Sequence, residues 1–279
     1  MSLWITCPVV VRWPSNSFGR DAKFDFYLTN VCEAFGLAPP NYTGVADFVD
    51  NEHPEAETFG SAALRLAWLS LKDQAPPAIL FDCRNMPTIG SAAASYKLLK
   101  KAGWARTTPY ALGWAEGTEV VQAIRLYQRL KTENLAAVAA TNWPNGRVRA
   151  DCSMSTVAAA CALGHGLPPA TDRFEVLATG YARRPAQRST AIEDATAEAL
   201  AGCGGTQPRW ISGPDSAVRA LTARHPGIEV VKDNQSAVNG GSVAPLIRLA
   251  TPMEANEPGI VVVGESDVVG VLVVIRKEG

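Results

Sequence analysis

The thiols are the groups in this sequence best suited to covalent chemistry. Six cysteines occur, at Cys7, Cys32, Cys83, Cys152, Cys161 and Cys203, with no Cys-x-x-Cys pair among them. That spacing gives no support to a zinc site or a dithiol redox motif, and no metal is expected. Cys152 stands in Asp151-Cys152-Ser153-Met154-Ser155 ahead of an alanine-rich run, and Cys83 follows a short apolar run in FDCRNMP. A cysteine at either place could act as a thiolate nucleophile in acyl transfer, given a neighbour that lowers its pKa. Bases are scarce. His53 lies in the acidic stretch DNEHPEAE, His165 in a Gly-His-Gly turn and His225 before Pro226, and all three read as surface or turn residues. A Ser-His-Asp hydrolase would carry a G-x-S-x-G elbow, and a nucleotide enzyme a G-x-G-x-x-G or P-loop string. The chain has none of these, so no cofactor is expected.

Charge narrows the field further. Net charge is -1 and pI about 6.3, without the basic excess that nucleic-acid binding favours. Hydrophobic residues make up 47% and charged residues 19%, a globular composition. No apolar run approaches the roughly 18 residues that span a bilayer, and the N-terminus does not read as a signal peptide. Reduced thiols in the cytoplasm are the expected state. Arg173, Arg183, Arg184 and Arg188 form a local basic group suited to phosphates or an acidic protein surface, with solvated loop charges as the plain alternative. The same holds for Lys97, Lys100 and Lys101.

The elements that must position these groups alternate along the chain. The pattern predicts a first strand over 4–11, a helix apolar nearly all round over 60–72, and a strand over 78–81. A helix over 91–102, a strand over 109–112, a helix over 115–130 and strands over 136–140 and 155–163 follow. Then the order repeats: strand 174–179, helix 190–200, strand 209–212, helix 215–223, strand 228–231 and helix 240–250. Two apolar strands, 260–263 and 268–275, close the chain around a loop from Gly264 to Gly270. Matching elements recur about 120 residues apart, the mark of an internal duplication. Each half reads βαβαβαββ. The halves are expected at 1–170 and 171–279, with an aromatic and turn-rich cap or lid inserted over about 15–57.

This layout resembles the thiolase fold of ketoacyl synthases and thiolases, in particular the type III ketoacyl synthases. The resemblance covers essentially the whole chain. AALRLAWLSL followed by AILF looks like the family's first helix and second strand, and DCSMSTVAAACALG like the segment before its fifth strand. NGGSVAPLIRLA looks like the start of its last buried helix, and GIVVVGESDVVGVLVVI like its closing hairpin. The resemblance implies two duplicated halves stacked as a five-layered α-β-α-β-α sandwich.

The family's chemistry needs a cysteine at the N-terminus of its third helix, where the macrodipole favours the thiolate. A histidine and an asparagine then hold the thioester oxygen that becomes enolate-like on decarboxylation. In ALGWAEGTEVVQAI the cysteine position falls on Ala115 or Trp114, followed by Glu116 and anchored on Gly117. After RWIS the histidine position falls on Gly213, while Asn239 matches the asparagine. Two of three groups are missing, so no catalytic residue is expected of its own. The pattern is similar to the cysteine-less subunits of heterodimeric ketosynthases, the chain-length factors and the alkylquinolone synthase partner. It implies a non-catalytic chain paired with an active ketosynthase in acyl-thioester condensation. Trp114, Ala115, Glu116, Gly213, Asn239, Gly264 and Gly270 would then shape the pocket or interface, and the four arginines would meet an acyl carrier protein or acyl-coenzyme A. Two other readings stay open: a self-sufficient acyltransferase using Cys152 or Cys83, and an acyl-carrier-binding scaffold.

Overall fold

The computed structural model describes residues 2–12, 76–84, 99–100, 103–113, 117–141, 157–166, 172–184, 187–231, 243–250, 255–264 and 268–278. Expectations for the cap over 15–57, the helix over 60–72 and most of the helix over 91–102 lie outside these residues.

The described strands are β1 (Leu3–Thr6), β2 (Val9–Arg12), β3 (Ile79–Arg84), β4 (Thr108–Gly113), β5 (Ala136–Thr141), β6 (Val157–Gly164), β7 (Arg173–Arg183), β8 (Trp210–Ser212), β9 (Glu229–Val230), β10 (Pro258–Val263) and β11 (Val268–Lys277). The helices are α1 (Glu119–Leu130), α2 (Arg188–Gly202), α3 (Asp215–Arg224) and α4 (Ala244–Ala250). One hydrogen-bonded sheet runs β4-β3-β5-β6-β1-β7-β11-β10-β8-β9, and β2 pairs with β6.

That order reads the same from either end once β1 is matched with β7, β6 with β11, β5 with β10, β3 with β8 and β4 with β9. Directions match as well. β3 is parallel to β4 and β5, as β8 is to β9 and β10. β5–β6 and β10–β11 are antiparallel, as are β6–β1 and β11–β7. The duplication is thus built into the hydrogen bonding, and β1 against β7 is the seam between its copies.

Alternation along the last two strands shows why their sequence is almost continuously apolar. Val261, Val263, Leu272 and Val274 join one core cluster; Ile260, Val262, Val271 and Val273 join another. Both faces are covered, so neither needs polar residues. The first cluster holds α1 and α4, which lie between the halves: α1 packs on β3, β4 and β5 and also on β7 and β11, while α4 packs on β10, β2 and β6. On the other face α2 packs on β7 and β11 and against α3. This is the central layer, and the outer layer of the second half, that the resemblance implies.

Small residues set the spacing. β5 and β6 are alanine-rich at their centres (AAVAAT and VAAACALG), although alanine is a poor strand former, and Ala136, Ala140 and Ala159 share the core cluster that holds α1. Under α2, Ala178, Ala182, Ala191, Ala195 and Ala199 meet across the sheet–helix contact. Gly180 completes that contact: a Cβ there would lie 1.8 Å from the Ala195 carbonyl oxygen.

Three expectations need correction. The single strand over 4–11 is two strands, because Pro8 has no N–H to give and the register against β6 steps there. The helix expected from Ala115 begins at Glu119, since Gly117 has φ 92°, outside helical space. The strand expected over 78–81 continues to Arg84, which takes Cys83 from a loop into the core.

Candidate functional site

α1 enters the middle of the molecule from the end of β4. Gly117, Thr118 and Glu119 at its start are all buried, and Glu119 is the acid of its first turn. A carboxylate there lies at the positive end of the macrodipole, which offsets part of the desolvation cost. The helix ends at Lys131 in a left-handed C-cap, with Arg129 in its last turn. Trp114, Ala115 and Glu116 fall outside the described residues, between Gly113 of β4 and Gly117.

The glycines of the expected pocket have structural roles. Gly270 pairs with Val263 and Tyr181, and a Cβ on it would lie 3.0 Å from Val121 Cγ2, so it allows α1 to approach β11 closely. Gly264 has φ 113° and closes the end of β10, where a Cβ would strike the Val268 carbonyl oxygen at 2.0 Å. Gly213 follows β8, with its Cβ direction filled by Val262: Cβ to Cβ would be 3.0 Å and Cβ to the carbonyl oxygen 3.3 Å. Asn239 lies outside the described residues, in the stretch before α4. Ser212, fully buried and beside Gly213, has no hydrogen-bond partner for its hydroxyl among the described residues.

The described cysteines do not offer a ready nucleophile. Cys83, expected to face a pocket, is fully buried inside β3 between β4 and β5. Burial, and then the negative charges of Glu119 and Asp82, hold its thiol well above the ordinary range. It stays protonated at neutral pH and is a core residue, which removes it as a nucleophile. Burial also raises Cys161 and Cys203, and the Cys203 thiol donates to the Ala199 carbonyl oxygen at 3.1 Å. Cys152 lies outside the described residues.

A polar network not foreseen from the sequence joins α1, α2 and β7. Tyr181 sits on β7 beyond the reach of β1, which pairs only with Arg173–Val176. Its amide donates to Glu198 Oε2 of α2 at 2.7 Å, and Arg125 of α1 pairs with Glu198 Oε1 at 2.9 Å. Burial acts to raise the Glu198 pKa, but hydrogen bonds from Arg125 and the Tyr181 amide, with the charges of Arg125 and Arg129, bring it below the ordinary value. Gln122 Nε2 donates to Thr118 Oγ1 at 3.2 Å and to Tyr181 Oη at 3.4 Å, beside the start of α1. The Glu-Ala-Leu-Ala run near the end of α2 gave no sign that Glu198 would reach the Tyr181 amide and Arg125.

The basic group is divided. Arg173 lies over the Trp4 ring, 4.2 Å from its centroid, and Arg184 pairs with Asp194 at 2.7 Å. Arg183 is exposed at the end of β7, and Arg188 opens α2. His165 lies at the seam, its Nδ1–H donating to the Ser2 carbonyl oxygen at 2.9 Å. Among the described residues no helix is long and apolar enough to cross a membrane.

No protein-family model matches the chain, and no curated protein matches it. Solved structures match along its whole length. Germicidin synthase from Streptomyces coelicolor, a type III polyketide synthase, superposes with a TM-score of 0.65 at 11% identity, covering 99% of this chain and 100% of that one. The 3-oxoacyl-(acyl carrier protein) synthase III of Pseudomonas aeruginosa gives 0.64 at 12% identity over 100% and 99%. A variant of OleA from Xanthomonas campestris gives 0.61 at 11% identity over 99% of each. At such identities the likeness establishes the fold, which is thiolase-like.

Proposed function

We propose that this chain is a catalytically silent ketosynthase-like subunit that pairs with an active ketosynthase in acyl-thioester condensation, of the fatty-acyl or polyketide type. The resemblance carries the reading: matched to it, Ala115 or Trp114 falls at the nucleophile position and Gly213 at the histidine position, in a chain whose fold is that of the condensing enzymes it superposes on. Neither position offers a thiol or imidazole, and buried Cys83 does not substitute. Asn239 alone can shape a pocket but cannot form an acyl-enzyme.

An edge strand supports the partner. Among the described residues β4 ends the sheet order, pairs only with β3, and leaves Thr108, Tyr110 and Ala111 exposed. In the heterodimers that this chain resembles, two subunits extend a sheet across such a strand, and an open edge is a liability for a chain on its own. Trp114 and Glu116 follow β4 directly and would lie at that interface. Arg183, with Arg173, Arg184 and Arg188 nearby in sequence, offers charge to a carrier protein or to coenzyme A phosphates. The cytoplasm is the proposed compartment.

Coexpression with a candidate partner ketosynthase tests this. Stable copurification, with condensation that requires both chains, is the expected result. Turnover by this chain alone would overturn the proposal and favour an enzyme that uses Cys152.

A further inference from the structure

Beside the seam, across β1 and β6 of the first half, lies a pair of thiols that the proposed condensation does not use. β1 and β6 run antiparallel with Trp4 opposite Gly164 and Ile5 opposite Leu163. The same register carried forward sets Thr6 opposite Ala162 and Cys7 opposite Cys161. Hydrogen bonds fix which way each backbone faces. The Ala162 amide points at β1, donating to Thr6 Oγ1 at 2.9 Å. The Cys7 amide points the other way, donating to the Asp172 carbonyl oxygen at 2.8 Å. Backbone groups alternate sides along a strand, so the Cys161 amide faces β5 and the cysteines form a non-hydrogen-bonded pair. In such pairs the Cα atoms are about 4.5 Å apart with side chains at their closest, within the range of roughly 4.4–6.8 Å that a disulfide needs.

The side chains share a face. Cys161 belongs to the core cluster with Ile5 and Leu163, and Cys7 packs against that cluster. Cys161 is fully buried, Cys7 is half-buried, and both are free thiols. Burial raises the Cys161 pKa, and Cys7 adds to it, as expected of neighbouring thiols. Burial raises Cys7 too; the charge of Arg276 lowers it and that of Asp172 raises it. The register steps by one just beyond, where Val9 lies opposite Ala160, so this is the last residue pair before β1 gives way to β2.

We propose that Cys7 and Cys161 form a reversible cross-strand disulfide that fastens β1 to β6 at the seam. The oxidant is a small-molecule disulfide of the glutathione type. Cys7, the solvent-reached thiol, loses its proton and attacks one oxidant sulfur, releasing a first thiolate. Cys161 then loses its proton and attacks the Cys7 sulfur, releasing the second. Two electrons pass to the oxidant, and the two protons end on its released thiols. Among the described residues β1 pairs with β6 of its own half and with β7 of the other, so the bond holds in place the strand against which the second half is seated. Raised thiol pKa values make formation slow at neutral pH and faster as pH rises.

The test treats the full chain with glutathione disulfide at mildly alkaline pH, blocks remaining thiols with N-ethylmaleimide in denaturant, and digests without reduction. The expected product is a peptide linking Cys7 to Cys161 that separates on reduction, with a Tm raised by about 5 °C or more. Cys7→Ser and Cys161→Ala should each lose the linked peptide, and Cys7→Ser removes only a half-buried thiol, so a folded variant is expected. Maleimide on both residues, a persistent glutathione adduct on Cys7, or linkage of either residue to another cysteine would overturn the pairing. A linked peptide without a rise in Tm would overturn the fastening role.

Discussion

Replacing Gly180 with alanine should destabilise the chain by about 3 kcal/mol or more, well above the roughly 1 kcal/mol of an ordinary substitution. The added methyl carbon would lie 1.8 Å from the Ala195 carbonyl oxygen and 3.0 Å from the Ala199 amide nitrogen. Both are backbone atoms of α2, so no side-chain rotation can relieve the contact. Either the helix lifts from β7 and β11 or the strand shifts, and both open a core of small residues with little area to spare. Gly166→Ala is the control: nothing lies within 4 Å of its Cβ position, and a change of less than about 1 kcal/mol is expected. Urea unfolding of the two variants gives the comparison. A Gly180→Ala protein as stable as its parent would mean that α2 does not sit on β7 as described.

Introducing Ala115→Cys and Gly213→His together should leave condensation at background and cost about 1–3 kcal/mol of stability. The first change supplies a thiol, but alone it has no imidazole to work with. The second places a large side chain where Val262 already fills the Cβ direction at 3.0 Å, so Val262, buried in an inner strand, would have to give by a few tenths of an ångström. On the proposed reading, packing at Gly213 as well as the missing groups would keep the site silent. Release of coenzyme A from an acyl and a malonyl thioester is the readout. Substantial turnover by the single or the double variant would show that the site is a working one lacking only its residues.

The second half is the part of the fold most legible in the sequence, for a physical reason. β10 and β11 are buried on both faces and so are written as unbroken valine-rich runs. α3, bounded by Pro214 and His225-Pro226, begins at Asp215 as expected. Where the sequence misled, local backbone rather than hydrophobic pattern decides. Asp82 and Arg84 inside β3 look like a strand end, yet the strand runs through them. The register shift between Val273 and Val274, opposite Leu177, lets Phe174 and Val176 face the central layer but Ala178 and Ala182 face α2. No periodicity announces such a bulge. The same shift turns Tyr181 toward α1, which is why its contacts with Gln122 and Glu198 could not be foreseen.

The candidate site was read by a different route, from the resemblance, and Ala115 and Asn239 lie outside the described residues. Ala115, Gly213 and Asn239 are ordinary residues individually, and they acquire meaning only as positions in a fold where other chains carry catalytic groups. The structure supplies what their types could not: Gly213 is packed against Val262, Gly270 seats α1, and Cys83 is enclosed.

Intact-mass spectrometry of the purified chain with short- and medium-chain acyl-coenzyme A thioesters tests catalytic silence most directly. The predicted result is an unmodified mass at every acyl length, while a coexpressed ketosynthase partner becomes acylated in the same mixture. A stoichiometric acyl adduct on this chain, mapped to one cysteine with Cys152 the first to inspect, would contradict the proposal and make the protein an acyl-transferring enzyme in its own right.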